Sequence, residues 1–99
     1  MEIGVINTLA HEGDCFQHVS QFGLKVCQLC SWDLSQATPE VAATVRRESA
    51  RAGVRVCAVW GGVPGPCEWN FTQGPVTLGL VPPEYRAERI AALKTWADF

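Results

Sequence analysis

Three short apolar runs set the frame of this chain: Ile3-Gly4-Val5-Ile6-Asn7-Thr8, residues 24–30, and Val54-Arg55-Val56-Cys57-Ala58-Val59-Trp60. Each is rich in aliphatic and β-branched side chains and almost uncharged, which is the pattern of a strand buried on both faces. Helical spacing separates them. Strands that recur after helices imply a parallel sheet with right-handed crossovers, because parallel neighbours cannot be joined by a tight turn.

The helical signals are local and physical. Asp14 with Gln17 three residues later is a capping-box arrangement, after which Phe16, Val19 and Phe22 fall close to one face and Gly23 supplies a left-handed stop. Thr38 caps the next helix, Pro39 takes its first position and Glu40 complements the N-terminal dipole. Val41, Val45 and Ala52 are expected to face inward, Arg46, Arg47 and Arg51 to stay in water, and Gly53 to end the helix. Residues 61–82 then form a connection far longer than the usual ~4–6 residues. It is rich in Gly and Pro, yet it also carries Trp69, Phe71, Leu78 and Leu80, so it is no plain linker. Pro83 opens the last helix, with Tyr85, Ile90, Leu93 and Trp96 as its apolar contacts.

The order is β-α-β-α-β-loop-α. Three parallel strands leave one face and both edges open, and the last helix runs to Phe99 with no Gly, Asn or Pro behind it. Each βα unit spends roughly 30 residues, and eight such units make the about 250 of a (β/α)₈ barrel. The expectation is therefore an α/β fold, the first three βα units of a partial TIM barrel covering residues 1–99. Open sheet edges also lead us to expect self-association.

Composition narrows the function. Ten acidic and eight basic side chains give a net charge of −2, which offers no basic footprint for nucleic acid or for a membrane surface. No apolar run approaches the ~20 residues of a membrane span, and the start of the chain lacks the pattern of a signal peptide. A cytoplasmic protein is expected, with the five cysteines as reduced thiols. Cys27 and Cys30, three apart on a strand, project to opposite faces and suit neither a disulfide nor a metal. His11 and His18, on either side of Asp14 and Cys15, are not at zinc-finger spacing, and the Gly-rich run after Trp60 lacks the Lys and helix of a phosphate cradle.

Active sites of such barrels form at the C-terminal strand ends, here Asn7-Thr8-Leu9, Cys30-Ser31-Trp32-Asp33 and Trp60-Gly61-Gly62. Alternation lets Asn7 point into the barrel mouth, puts Val26, Gln28 and Cys30 on one face, and does the same for Val56, Ala58 and Trp60. Trp32, Trp60 and Trp69 converge on this end as an apolar wall with N–H handles, suited to stacking on a sugar. Second readings stand beside these: Trp60 as core at the strand exit, Asn7 as a strand terminator bonded to nearby backbone, Asp33 as a turn residue rather than a base.

The stretch Gly74-Pro75-Val76-Thr77-Leu78-Gly79-Leu80-Val81-Pro82-Pro83-Glu84-Tyr85-Arg86-Ala87-Glu88-Arg89, running on to Ala92-Leu93-Lys94, resembles the sugar phosphate isomerase/epimerase family, whose fold is a xylose isomerase-like TIM barrel. The resemblance spans essentially the whole chain but only the N-terminal portion of that fold. It implies isomerisation or epimerisation of a sugar or sugar-derived molecule by proton transfer next to a carbonyl, with a divalent metal (Mn, Mg, Co or Zn) holding substrate oxygens. The family's metal-binding carboxylates and histidine come from later strands, so this chain alone is expected to bind no metal and to be inactive. Asn7, Trp32, Trp60 and Trp69 carry over as substrate-pocket candidates. Abasic-site endonucleases of the same superfamily place histidines at early strand ends, which these strand ends lack. A non-catalytic carbohydrate-binding or vestigial barrel fragment is the alternative.

Overall fold

The structure is a computed structural model that describes residues 1–9 and 15–99. Strands β1 (Val5–Thr8), β2 (Val26–Ser31) and β3 (Arg55–Gly61) form one parallel sheet in the order β1-β2-β3. Helix α1 (Gln17–Gln21) connects β1 to β2, and α2 (Pro39–Ala52), preceded by a 3-10 turn at Leu34–Gln36, connects β2 to β3. After β3 come a long loop containing the one-turn helix α3 (Gly74–Thr77), which the sequence did not suggest, and then α4 (Pro83–Asp98).

Helix α2 forms where its local signals place it. The Thr38 hydroxyl accepts the Val41 N–H at 3.2 Å, Pro39 fills the first turn, and Gly53 closes the helix in the left-handed region at φ 65°. The buried side chains of the helix are Ala42 and Val45, with Val41 and Ala52 half-buried. Helix α1 keeps Phe16 and Val19 in the core but leaves Phe22 exposed, because the five-residue helix ends before Phe22 can complete its stripe. The expected cap Asp14 and neighbouring His11 lie outside the described residues.

The core fills the space between the helices and one face of the sheet. Phe16, Val19, Cys27, Leu29, Val45 and Val54 meet there, with Phe99 packed against them. The other face is open, as expected of three parallel strands by themselves. β2 is buried along its length, whereas most of β1 and β3 is exposed, with Ile6 of the open face showing to solvent. Only a strand paired on both edges gains that much cover. No helix among the described residues is long and apolar enough to cross a membrane.

A register shift decides which side chains share a face. Cys27 pairs with Val56 and Gln28 with Ala58, so Cys57 is the extra residue of a bulge. Val56 therefore turns toward the helices with Cys27, while Ala58 and Trp60 turn to the open face with Gln28 and Cys30. The expectation that Val56, Ala58 and Trp60 share a face fails for Val56, since one inserted residue inverts the alternation. Cys27 and Cys30 do diverge, and no disulfide forms among the described residues.

Helix α2 is predicted to lose about 1 kcal/mol on Thr38→Ala, the usual worth of an N-cap hydroxyl. Thermal unfolding of the wild-type and variant proteins measures it; an unchanged midpoint would show that the cap is not needed.

Candidate functional site

Three strand-end and loop positions bring indole rings together. Trp32 follows β2, Trp60 is near the end of β3, and Trp69 comes from the loop after it. The register pairs Cys30 with Trp60 and Ser31 with Gly61, so the ends of β2 and β3 lie level. The ring centroids are 5.6 Å apart for Trp32 and Trp60, 6.3 Å for Trp32 and Trp69, and 6.0 Å for Trp60 and Trp69. All three pairs are tilted or edge-to-face, within the range where the ring quadrupoles attract. The rings are not sealed in a core: Trp69 is 64%, Trp32 56% and Trp60 39% exposed.

The triad rims a pocket of about 400 Å³ that runs from the open sheet face to the loop and α4. Gln28 and Ala58 belong to its sheet side, Val63, Leu78 and Leu80 to the loop, and Leu93 to α4. Among the described residues that line it, the polar side-chain groups are the Gln28 amide, the indole N–H groups and the Cys67 thiol. The pocket can hold a ligand with an apolar face and a few hydroxyls.

Close backbone approach builds the rim. A Cβ on Gly61 would lie within the Trp96 ring, so only glycine admits that ring against the strand end. The Trp96 indole N–H then donates to the Gly62 carbonyl at 2.9 Å, which ties α4 to the exit of β3. Asp33, beside Trp32, is fully engaged as a turn residue. Its carboxylate accepts from the Ser35 amide at 2.9 Å and the Ser35 hydroxyl at 2.6 Å.

Asn7 stands apart from the triad. Its register partner is Leu29, a core residue on the helix side, and its amide donates to the Cys15 carbonyl at 2.6 Å. The expectation that it points into the barrel mouth is corrected: Val5 and Asn7 share the face of Cys27 and Leu29, whereas Ile6 shares that of Gln28.

The buried row of α4 is likewise displaced from expectation. Arg89, Ala92 and Trp96 are buried and Tyr85 is half-buried, while Ile90 and Leu93 are largely exposed. Arg89 has no exposed surface at all. The signal that could have found it is its spacing, four residues after Tyr85 and seven before Trp96, on the inward stripe.

Among the described residues no group of three or more His, Cys, Asp or Glu side chains could hold a metal ion. Burial raises the pKa of the Cys27 thiol, and Cys15 and Cys57 nearby add to the rise. Cys27 is thus a neutral packing group rather than a nucleophile.

A crystal structure of a xylose isomerase domain protein from Planctomyces limnophilus is similar to this chain, with a TM-score of 0.82 and 28% sequence identity. The match covers 97% of this chain and 34% of that one, so the chain spans about a third of the neighbour's length. No protein-family model and no curated protein matches the sequence. The three parallel strands with their helices have the fold of a partial xylose isomerase-like TIM barrel, consistent with its N-terminal portion.

The thiols provide a check on the sheet. Exposed Cys57 at the bulge is predicted to be alkylated at least ~100-fold faster than buried Cys27 in the native protein, because the reactive thiolate is suppressed by burial. Since the folded state raises the Cys27 pKa, that thiol's contribution to stability is complete below the ordinary thiol range. It is lost as pH rises through the raised value. Mass-mapped alkylation and alkaline melting curves measure the two effects; equal labelling of the two cysteines would contradict the burial.

Proposed function

We propose that this chain, with the fold of a xylose isomerase-like barrel, supplies the aromatic side of the substrate pocket of a sugar isomerase or epimerase. The observation that carries the reading is the meeting of Trp32, Trp60 and Trp69 at the C-terminal ends of parallel strands, the end where barrels of this type place their sites. Indole faces present the flat, electron-rich surface that packs against the C–H face of a pyranose or an extended sugar chain. Gln28 can both donate to and accept from a sugar hydroxyl.

The proposed reaction moves a proton between carbons next to a carbonyl, which needs a base and a group that polarises the carbonyl. Among the described residues that line the pocket, the Gln28 amide and the indole N–H groups can hydrogen-bond a carbonyl, and none is a carboxylate or imidazole base. The described residues do not fit a divalent metal, so in this reading the base and any metal belong to other side chains, and this chain orients the substrate. The sugar is taken as a soluble, small-molecule substrate in the cytoplasm, a setting that suits five cysteines held as thiols.

Binding without turnover is the second reading, and the three indoles and aliphatic side chains that line the pocket among the described residues favour it. Xylose titrated against tryptophan fluorescence tests binding, and deuterium wash-in at the carbon next to the carbonyl tests turnover. Saturable quenching is expected, weakened about 10-fold by Trp69→Ala, the cost of one lost aromatic contact. Quenching without wash-in is expected of this chain under both readings, and wash-in would overturn the placement of the base on other side chains. Failure of xylose and other sugars to quench would sink both.

A further inference from the structure

We infer that Arg89 is the positioning residue of this pocket, a buried guanidinium clamp that holds both arms of the Trp69 loop in the conformation that completes the aromatic triad. The inference rests on the reading of the triad as a ligand site, but its structural part stands independently.

The geometry is that of a cage. Arg89 Nε donates to the Pro64 carbonyl at 2.8 Å, and Nη2 to that of Pro66 at 2.7 Å. Nη1 donates to the carbonyls of Thr77 and Gly79, both at 2.6 Å. Two acceptors lie on the outgoing arm of the loop and two on the returning arm, with Trp69 between them. The Tyr85 ring stacks over the guanidinium carbon at 5.3 Å. Cys67, Leu78 and Gly79, which line the pocket, are themselves bonded to Arg89 or adjacent to its acceptors.

Such a contact does more than fill space. A loop rich in Gly and Pro has few internal donors, since proline has none, and its inward carbonyls need partners. One planar fork of five N–H groups can satisfy several at once, and charge-assisted bonds are about twice as strong as neutral ones. A lysine, with a single ammonium on a flexible stem, reaches fewer of these acceptors. Other bonds stay within the loop: Asn70 Oδ1 accepts from the Thr72 and Gln73 amides at the tip, and the Thr77 hydroxyl on the returning arm accepts from the Glu68 N–H on the outgoing one. They shape the tip without tying the arms to the body of the fold. Arg86 also donates to loop carbonyls, those of Leu80 and Val81, but it is exposed and touches only the returning arm.

The test compares Arg89→Met and Arg89→Lys with Arg86→Ala. Far-ultraviolet circular dichroism reports folding, and the near-ultraviolet spectrum reports coupling among the tryptophans. Limited proteolysis reports cleavage within residues 63–80, and xylose titration reports affinity. We expect Arg89→Met to stay folded, to lose the tryptophan coupling signal and to be cleaved in the loop ~10-fold or more faster, as local opening becomes easier. Xylose affinity is expected to fall about 10-fold with the loss of preorganisation. Arg89→Lys should recover part of each, and Arg86→Ala should match the wild type. Should Arg89→Met fail to fold, Arg89→Lys decides: a folded protein with weakened coupling upholds the clamp. A folded Arg89 variant with wild-type coupling and cleavage overturns it. If the wild type binds no xylose while the spectra and cleavage change as expected, the clamp stands and the sugar reading falls.

Discussion

Strand β2 is the element on which the rest of the molecule depends. It is paired on both sides, to β1 from Val5↔Cys27 through Thr8↔Cys30 and to β3 from Val26↔Arg55 through Ser31↔Gly61, and nearly every residue in it is buried. Because both pairings are parallel, each connection must travel the length of the sheet and return, and helices are how chains do that. The same constraint lines up all three strand C-termini at one end. Trp32 and Trp60 are neighbours for that reason, and no direct attraction between them is needed to explain it.

The third indole is brought in by other means. Trp69 sits on a connection with no regular strand and only one helical turn, so its position depends on contacts that close across sequence. Trp96 against Gly61 anchors α4 at the exit of β3, and Arg89, two turns nearer the start of that helix, collects carbonyls from both arms of the loop. Burying a guanidinium is costly unless its donors are matched. Here the matching acceptors are backbone groups that would otherwise be unsatisfied themselves, so cost and need offset one another.

How much of this the sequence disclosed depended on whether the signal was local. Thr38, Pro39, Glu40 and Gly53 specify α2 through short-range hydrogen bonds and backbone preference, and the helix forms where they place it. The convergence of three tryptophans also followed from the strand ends and loop. Facing was harder. A single extra residue at Cys57 reverses the alternation in β3, and the phase of four-residue β1 was set by its pairing with β2 rather than by its own pattern. Neither leaves a mark in composition. A charged residue on a helix is ordinarily solvated, and the only signal of Arg89's burial is its place on the stripe with Tyr85, Ala92 and Trp96.

An apolar wall of described residues has a physical rationale of its own in the proposed reading. Tryptophan, leucine and valine side chains lower the local dielectric, and a charge or metal facing such a wall acts more strongly on a ligand than it would in water. A wall that carried its own carboxylates would blunt that effect and would compete for the same ligand oxygens. Gln28 adds orientation without charge, and the indoles add contact area at little entropic cost, since each has only two side-chain torsions. In the proposed reading the pocket holds and orients a molecule whose chemistry is driven from the opposite side, and the inferred clamp at Arg89 keeps its third indole in register with the other two.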